Sequence, residues 1–385
     1  MSRIRQNSIT AIEATHRIQK SSMSQDSRHI VFSDYVNAWS IRRGLKQLGK
    51  RLHHAVPGDT TAGVPRAGDV LYFTDERSLQ QFLPRNELQF LPRSSGLVID
   101  DKLWFYDWLS AFGEQTIPYS GDLNSPRVWP ALIKARHSWK GDRKLPRGFV
   151  CHTTLEFQHA RQQLPRLGLS ESDFCTQQFL PSCSFVYSVC GHFDSQDNQR
   201  NAILVTRKTL TCDQDLGTGA VVDTVADPQD LLRRTARILN ALRYQGPFEL
   251  EFLHDPNTQT YYVLELNPRF WMQHGIFIDG FENILIKRYL GIDDGVPQKP
   301  QPDQAICWLC RVDLVTAVLK CDYRLVSRFV GLWWNRRRRG VRCLWCPDWR
   351  TTIRYVFRIC RQKLRHRQAD AAVTPVTDSE IAAAA

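Results

Sequence analysis

The chain has 385 residues, 42% hydrophobic, 11% aromatic and 23% charged, a composition that builds a core and excludes a wholly disordered or low-complexity polymer. No run of about 18 apolar residues occurs, so no transmembrane helix is predicted. The net charge of +12 is local: 15 Lys and Arg against Asp322 and Asp348 fall between Lys320 and Arg367, a net of +13 that leaves the rest near −1, so a DNA-reading core is not indicated.

Residues 1–27 are polar and lack an apolar h-region, so they read as a flexible leader and not as a secretory signal. Residues 29–34 predict a buried strand. A helix follows, with Val36, Trp39, Ile41, Leu45 and Leu48 apolar and Gly49 at its end. A second strand begins at Asp69, and a short helix follows near 75–82. This small α/β unit, 28–96, lacks a G-x-G-x-x-G loop, so dinucleotide binding is not indicated.

From 97 onward a helix over 101–112 precedes strands near 116–118 and 128–135 and a helix near 153–165. Further strands fall near 174–180, 184–193, 201–210 and 219–225. A helix over 228–243 starts at Asp227-Pro228. Two long strands, 247–254 and 260–267, close the unit. Antiparallel strands covered by helices predict an α+β body over 97–295. Residues 296–368 read as a basic, Trp/Arg-rich helical extension and 369–385 as a disordered tail.

Eleven cysteines without a secretory signal point to reduced thiols and a cytoplasmic setting. Cys151, Cys175, Cys183, Cys190 and Cys212 read as small buried hydrophobes. The two C-x-x-C pairs, Cys307/Cys310 and Cys343/Cys346, leave two readings: four thiolates on a structural zinc, or packed cysteines in helical segments.

The chemistry concentrates in E-x-E-F at Glu249–Phe252 and E-x-N-P-R at Glu265–Arg269. Alternate residues of a strand share a face, so Glu265 and Asn267 project together, as do Glu249 and Glu251. Paired as a hairpin, the two strands bring carboxylates and the Asn carbonyl into an all-oxygen set that suits Mg²⁺ held against phosphate. Carboxylates flanked by Leu, Phe and Val are costly to bury without such a cation.

At these residues the chain resembles the ATP-grasp superfamily, which includes biotin carboxylase, carbamoyl-phosphate synthetase and D-alanine–D-alanine ligase. The resemblance implies two α+β subdomains clasping a nucleotide, preceded by the small α/β domain and followed by the basic extension. It places Glu251, Glu265 and Asn267 on Mg²⁺ (or Mn²⁺) and Arg269 on the acyl-phosphate or its carboxylate precursor. Upstream, Asp101-Lys102 resembles the family's helix-opening Asp-Lys, and Pro130 to Lys134 its P-x-x-x-K strand, so Lys102 and Lys134 are expected on ATP phosphates. Gln177, Gln178 and Leu180 fall where the family has its adenine hinge, so the resemblance implies that they meet adenine through side chain and backbone. Arg207, followed by Lys208, falls on a strand where related ligases carry a basic residue near nucleotide or acceptor.

Three positions depart from the pattern. The loop after Lys134 is poor in glycine, with Lys140, Arg143 and Lys144 as alternative sources of charge. Gln177 replaces the commoner acid of the hinge. Gln273 stands where biotin carboxylase has a glutamate for bicarbonate. His137, His192 and His274 read as packing or surface histidines.

The activity implied is an ATP-dependent ligase that phosphorylates a small-molecule carboxylate and joins it to an amine or similar nucleophile. The alternative is an inactive ATP-binding protein whose basic end binds an anionic surface. Arg350, Arg354, Arg358, Arg361 and Arg365 recur at helical spacing, interleaved with Ile353, Val356, Phe357, Cys360 and Leu364. Trp333, Trp334, Trp345 and Trp349 lie nearby. Three readings stay open: an apolar face packed on the body, contact of 333–367 with an anionic membrane surface at the cell periphery, or nucleic-acid contact.

Overall fold

The structure is a computed structural model that describes residues 27–32, 35–55, 65–66, 68–82, 100–124, 128–141, 143–180, 185–211, 218–226, 229–292, 305–358 and 361. All but Ser27 of the expected leader, the tail over 369–385, the Asp227-Pro228 helix start, and Cys183, Cys212 and Cys360 lie outside these residues.

The first unit holds β1 (His29–Phe32), α1 (Tyr35–Gln47), β2 (Leu52–Ala55), β3 (Val70–Phe73) and α2 (Glu76–Phe82). Its strands pair in parallel in the order β2-β1-β3. Four-residue strands buried along their whole length, as β1 and β3 are, suit a parallel sheet covered on both faces.

The second unit runs through α3 (Lys102–Ala111), β4 (Tyr119–Ser120), β5 (Ala131–Ala135), the small hairpin β6 (Trp139–Lys140) and β7 (Arg143–Lys144), β8 (Gly148–Cys151), α4 (Thr154–Arg166) and β9 (Phe174–Gln178). An antiparallel sheet in the order β4-β9-β5-β8 packs on α4 through Phe157, Ala160 and Leu164.

The third unit adds β10 (Phe185–Asp194), β11 (Ala202–Thr211), β12 (Gly219–Thr224), α5 (Gln229–Ala241), β13 (Gln245–Asp255), β14 (Thr260–Asn267), α6 (Gly275–Gly280) and α7 (Ile284–Tyr289). It continues through β15 (Ile306–Cys310), α8 (Arg311–Leu319), α9 (Tyr323–Arg338) and β16 (Arg342–Cys346). Seven strands line up as β14-β13-β10-β11-β12-β15-β16. One face buries Val189, Val205, Leu250 and Phe252 against Leu231, Ile238 and Leu239 of α5. The other packs Leu204, Val222 and Trp308 against Ile41 and Leu45 of α1 and Ile276 and Phe277 of α6. At the β14 edge the chain covers itself: Tyr106 of α3 donates to Leu264 O at 2.8 Å and Val263 N donates to Gln115 O at 2.9 Å.

Two expectations change here. Residues 296–368 read as helical in sequence, yet 306–310 and 342–346 are strands that extend the large sheet, pairing in parallel across the α8–α9 crossover. The C-x-x-C cysteines are therefore on strands and not in helical segments. Positions three apart on a strand face opposite ways. Cys307 stands opposite Cys343 and packs with the α9 side, while Cys310 stands opposite Cys346 and packs with the α6 side. The four thiols cannot converge on one zinc, and none of them is in a disulfide.

Candidate active site

Across the β13–β14 hairpin, Glu251 lies opposite Glu265 and Glu249 opposite Asn267, so all four side chains share one face. Asn267 Nδ2 donates to Glu249 Oε2 at 3.2 Å, which leaves the amide oxygen as its acceptor. The same face continues through Ser188 on β10 and Thr206 on β11 to Lys208. Lys208 Nζ meets Glu251 Oε1 at 2.5 Å.

Two further ammonium groups come from other elements. Asp101 caps α3 by accepting from Leu103 N and Trp104 N, and this fixes Lys102 at the first helical position. Lys102 Nζ lies 3.7 Å from Glu265 Oε1 and 3.3 Å from Asp100 Oδ1. Lys134, on β5, lies 3.7 Å from Glu265 Oε2 and donates to Tyr106 Oη at 2.8 Å. Glu265 of the third unit is thus clamped between two lysines of the second, one from a helix and one from a strand. Burial alone would raise its carboxyl pKa, but Lys102, Lys134, Arg269 and Lys208 overcome burial and hold it at about 2. Burial also opposes the charge on Lys102, yet Glu265, Asp100 and Glu76 raise its pKa. Glu249 goes the other way: burial and the neighbouring Glu251 push it up to about 7 against Lys208 and Arg269.

Tyr106 ties this clamp to the strand beneath, since it accepts from Lys134 and donates to Leu264 O. Tyr106→Phe strips both groups of a partner, which costs about 1–3 kcal/mol of stability and frees the Lys134 ammonium. Chemical denaturation should show that loss, and any ATP-dependent turnover should fall about tenfold.

Arg269 sits beyond the hairpin. Its Nε donates to Glu76 Oε1 at 2.5 Å and its Nη1 to Phe270 O at 3.2 Å. Helix α2 of the first unit therefore reaches the site. His274, the nearest histidine in sequence, is fully buried, and burial lowers its pKa to about 4. It is a neutral packing group.

Not every expected residue reaches this face. Arg207 lies opposite Tyr187 and Asp223 on the reverse face of β11, with its guanidinium 5.3 Å from the Phe185 ring. Lys208 takes the position expected of it. Gln177 shares the Lys134 face through the Lys134–Cys175 and Leu132–Gln177 register, and its buried Nε2 has no hydrogen-bond partner. Gln178 N donates to Pro118 O and Phe179 N to Pro130 O, so both amides serve neighbouring chain; Leu180 follows, half-buried. In the glycine-poor loop, Lys140 pairs with Asp173 at 2.7 Å and Arg143 donates to Leu167 O. Two of its three expected charges are thus engaged within the protein. Sequence reasoning passed over Tyr106, Asp100 and Glu76. Tyr106 carried a signal, lying one helical turn after Lys102, but Glu76 carried none.

The donor set fits a hard divalent cation in its chemistry, since three carboxylates and an amide oxygen stand side by side on one face. Among the described residues no three of His, Cys, Asp and Glu are already arranged to hold a metal ion. Lys102 and Lys134 pair with Glu265, and Lys208 pairs with Glu251. The orphaned Gln177 Nε2 fits a ligand that brings an acceptor, as a purine ring does.

A family model described as carbamoyl-phosphate synthase L chain, ATP binding domain, matches residues 196–280, which contain both strands of the hairpin. No curated protein matches the chain in sequence. Among solved structures, N5-carboxyaminoimidazole synthetase from Staphylococcus aureus complexed with ADP aligns at TM-score 0.54 and 12% identity, over 75% of this chain and 82% of that one. Biotin carboxylase from Campylobacter jejuni, in a β,γ-ATP complex, aligns at TM-score 0.52 and 14% identity, over 71% and 73%. The biotin carboxylase domain of 2-oxoglutarate carboxylase from Hydrogenobacter thermophilus, with MgADP, ADP and bicarbonate, aligns at TM-score 0.50 and 14% identity, over 71% and 70%. The chain has the ATP-grasp fold.

Proposed function

We propose that this protein is an ATP-dependent ligase that activates a carboxylate as an acyl-phosphate and joins it to an amine or similar nucleophile. The observation that carries this reading is the clamp on Glu265. Two lysines of the second unit, from separate elements, converge on one carboxylate of an all-oxygen set in the third, and that carboxylate lies within the segment that matches an ATP-binding domain.

In this reading Glu251, Glu265 and Asn267 hold Mg²⁺, with Glu249 beside them. A bound Mg²⁺ would screen phosphate charge during transfer. Lys102 and Lys134 turn from Glu265 to ATP phosphates, and Lys208 balances Glu251. Gln177 and the chain at Gln178–Leu180 take the adenine. Arg269, steadied by Glu76, orients the carboxylate and stabilises negative charge at the acyl centre. The Gln273 amide, where biotin carboxylase has a glutamate for bicarbonate, donates to Gly219 O at 3.3 Å.

The test is a melting curve with and without MgATP, followed by ADP release over a panel of carboxylates paired with amines. We expect Mg²⁺-dependent stabilisation and ADP release that requires a carboxylate. A chain that binds MgATP yet releases no ADP with any pair would return the inactive-binder alternative, and no MgATP effect at all would remove both.

A further inference from the structure

After β16 the described chain forms a helix over 349–358 whose amphipathicity is reversed. Asp348 starts it, accepting from Thr351 N at 2.8 Å and from Trp39 Nε1 of α1 at 2.6 Å. The side turned to the body carries Thr351 and Thr352, both buried, and Tyr355, which packs on the core. The outward side carries Trp349, Ile353 and Phe357, spaced one turn apart and 58%, 51% and 67% exposed. Arg350, Arg354 and Arg358 form an exposed row beside them at the same pitch. A surface helix of a globular protein ordinarily buries its apolar stripe and leaves its threonines in water. The reading in which the apolar face of this helix packs on the body is therefore overturned.

We propose that this helix is a docking surface for an anionic lipid bilayer, lying in the plane of the interface. Trp349, Ile353 and Phe357 enter the acyl boundary, and Arg350, Arg354 and Arg358 meet headgroup phosphates. Charge complementarity selects this occupant, because the stretch from Lys320 to Arg367 carries a net +13. A bilayer presents an anionic layer directly above an apolar one, which matches adjoining cationic and apolar rows at one pitch. Nucleic acid supplies phosphates and stacking bases, but Ile353 has nothing to stack with. Two features add support. The Arg311 guanidinium lies 4.8 Å from the Trp349 ring and holds it in place. On α9, Tyr323, Val330 and Trp334 are 77%, 46% and 56% exposed among Arg324, Arg328 and Arg337. Arg336 is excluded from this role, since both its Nε and Nη2 are engaged by Asp223. No helix among the described residues is long and apolar enough to cross a membrane, so the contact is peripheral.

The experiment is co-sedimentation of the full chain with vesicles of phosphatidylglycerol and phosphatidylcholine in equal parts, and with phosphatidylcholine alone, at about 0.15 M salt. Binding is expected only with the anionic vesicles. Arg350→Gln/Arg354→Gln/Arg358→Gln should weaken it about 100-fold. Ile353→Ser/Phe357→Ser should weaken it at least about tenfold. Both sets are exposed, so the melting temperature should not move. Absence of anionic-vesicle binding, equal binding to phosphatidylcholine, or full binding by the Ile353→Ser/Phe357→Ser variant would overturn the proposal. So would a single-stranded RNA that binds more tightly than the vesicles and ignores Ile353→Ser.

Discussion

Glu265→Gln is expected to lower ADP formation by about 1,000-fold or more while the chain still folds. The carboxylate is the point where Lys102 and Lys134 meet, at 3.7 Å from each. The amide keeps the shape and one acceptor oxygen but removes the charge that draws both ammonium groups and that, in the proposed reading, holds a divalent cation. Stability should fall too, by on the order of 3 kcal/mol at neutral pH, because the two lysines are nearly buried. Folding survives because Lys102 keeps Asp100 and Lys134 keeps Tyr106. The sign of the pH dependence follows from a carboxyl held at about 2 against its ordinary 4.5. Its contribution is fully present above pH 4.5 and is lost as pH falls towards 2, so wild type and variant should converge in acid. Denaturation midpoints at neutral and acid pH, together with ADP release, check both halves. An active Glu265→Gln enzyme would refute the metal and phosphate assignment.

The hairpin was legible because strand alternation needs only sequence: Glu249, Glu251, Glu265 and Asn267 sit at spacings of two, and the register of β13 with β14 puts them on one face. Lys102 was legible through the Asp101 cap that opens α3. The phase of β11 was not. Arg207 and Lys208 are adjacent, and only the pairing of Thr206 with Ser188 decides which of them faces the carboxylates. Glu76 lies 193 residues from Arg269, so no local pattern joins them. The strands at 306–310 and 342–346 are short and dense in Cys and Trp, and their pairing depends on a crossover of two helices. For the helix over 349–358, spacing showed two rows of residues, but which row turns inward is set by Asp348, Trp39 and the core beneath.

Arg269 offers the sharpest separation of structure from chemistry. Its ion pair with Glu76 is nearly buried, the side chains being 20% and 8% exposed. Arg269→Met leaves the Glu76 carboxylate without its guanidinium, so stability should fall by about 2–4 kcal/mol. Turnover with a carboxylate substrate should fall about 100-fold or more. Glu76→Gln removes the buried charge instead, and in the double variant Glu76→Gln/Arg269→Met no ion is left unpaired. That variant should regain most of the lost stability, a coupling that a double-mutant cycle reads directly. In the proposed reading it should not regain turnover, because the guanidinium assigned to the acyl centre is then missing. Recovery of both would make Arg269 a structural link between α2 and the hairpin and nothing more. Recovery of stability alone places it on the substrate, and Glu76→Gln by itself then reports positioning. With Arg269 present but no longer held, the apparent affinity for the carboxylate should weaken more than that for ATP, since Lys102, Lys134 and Glu265 are left as they were.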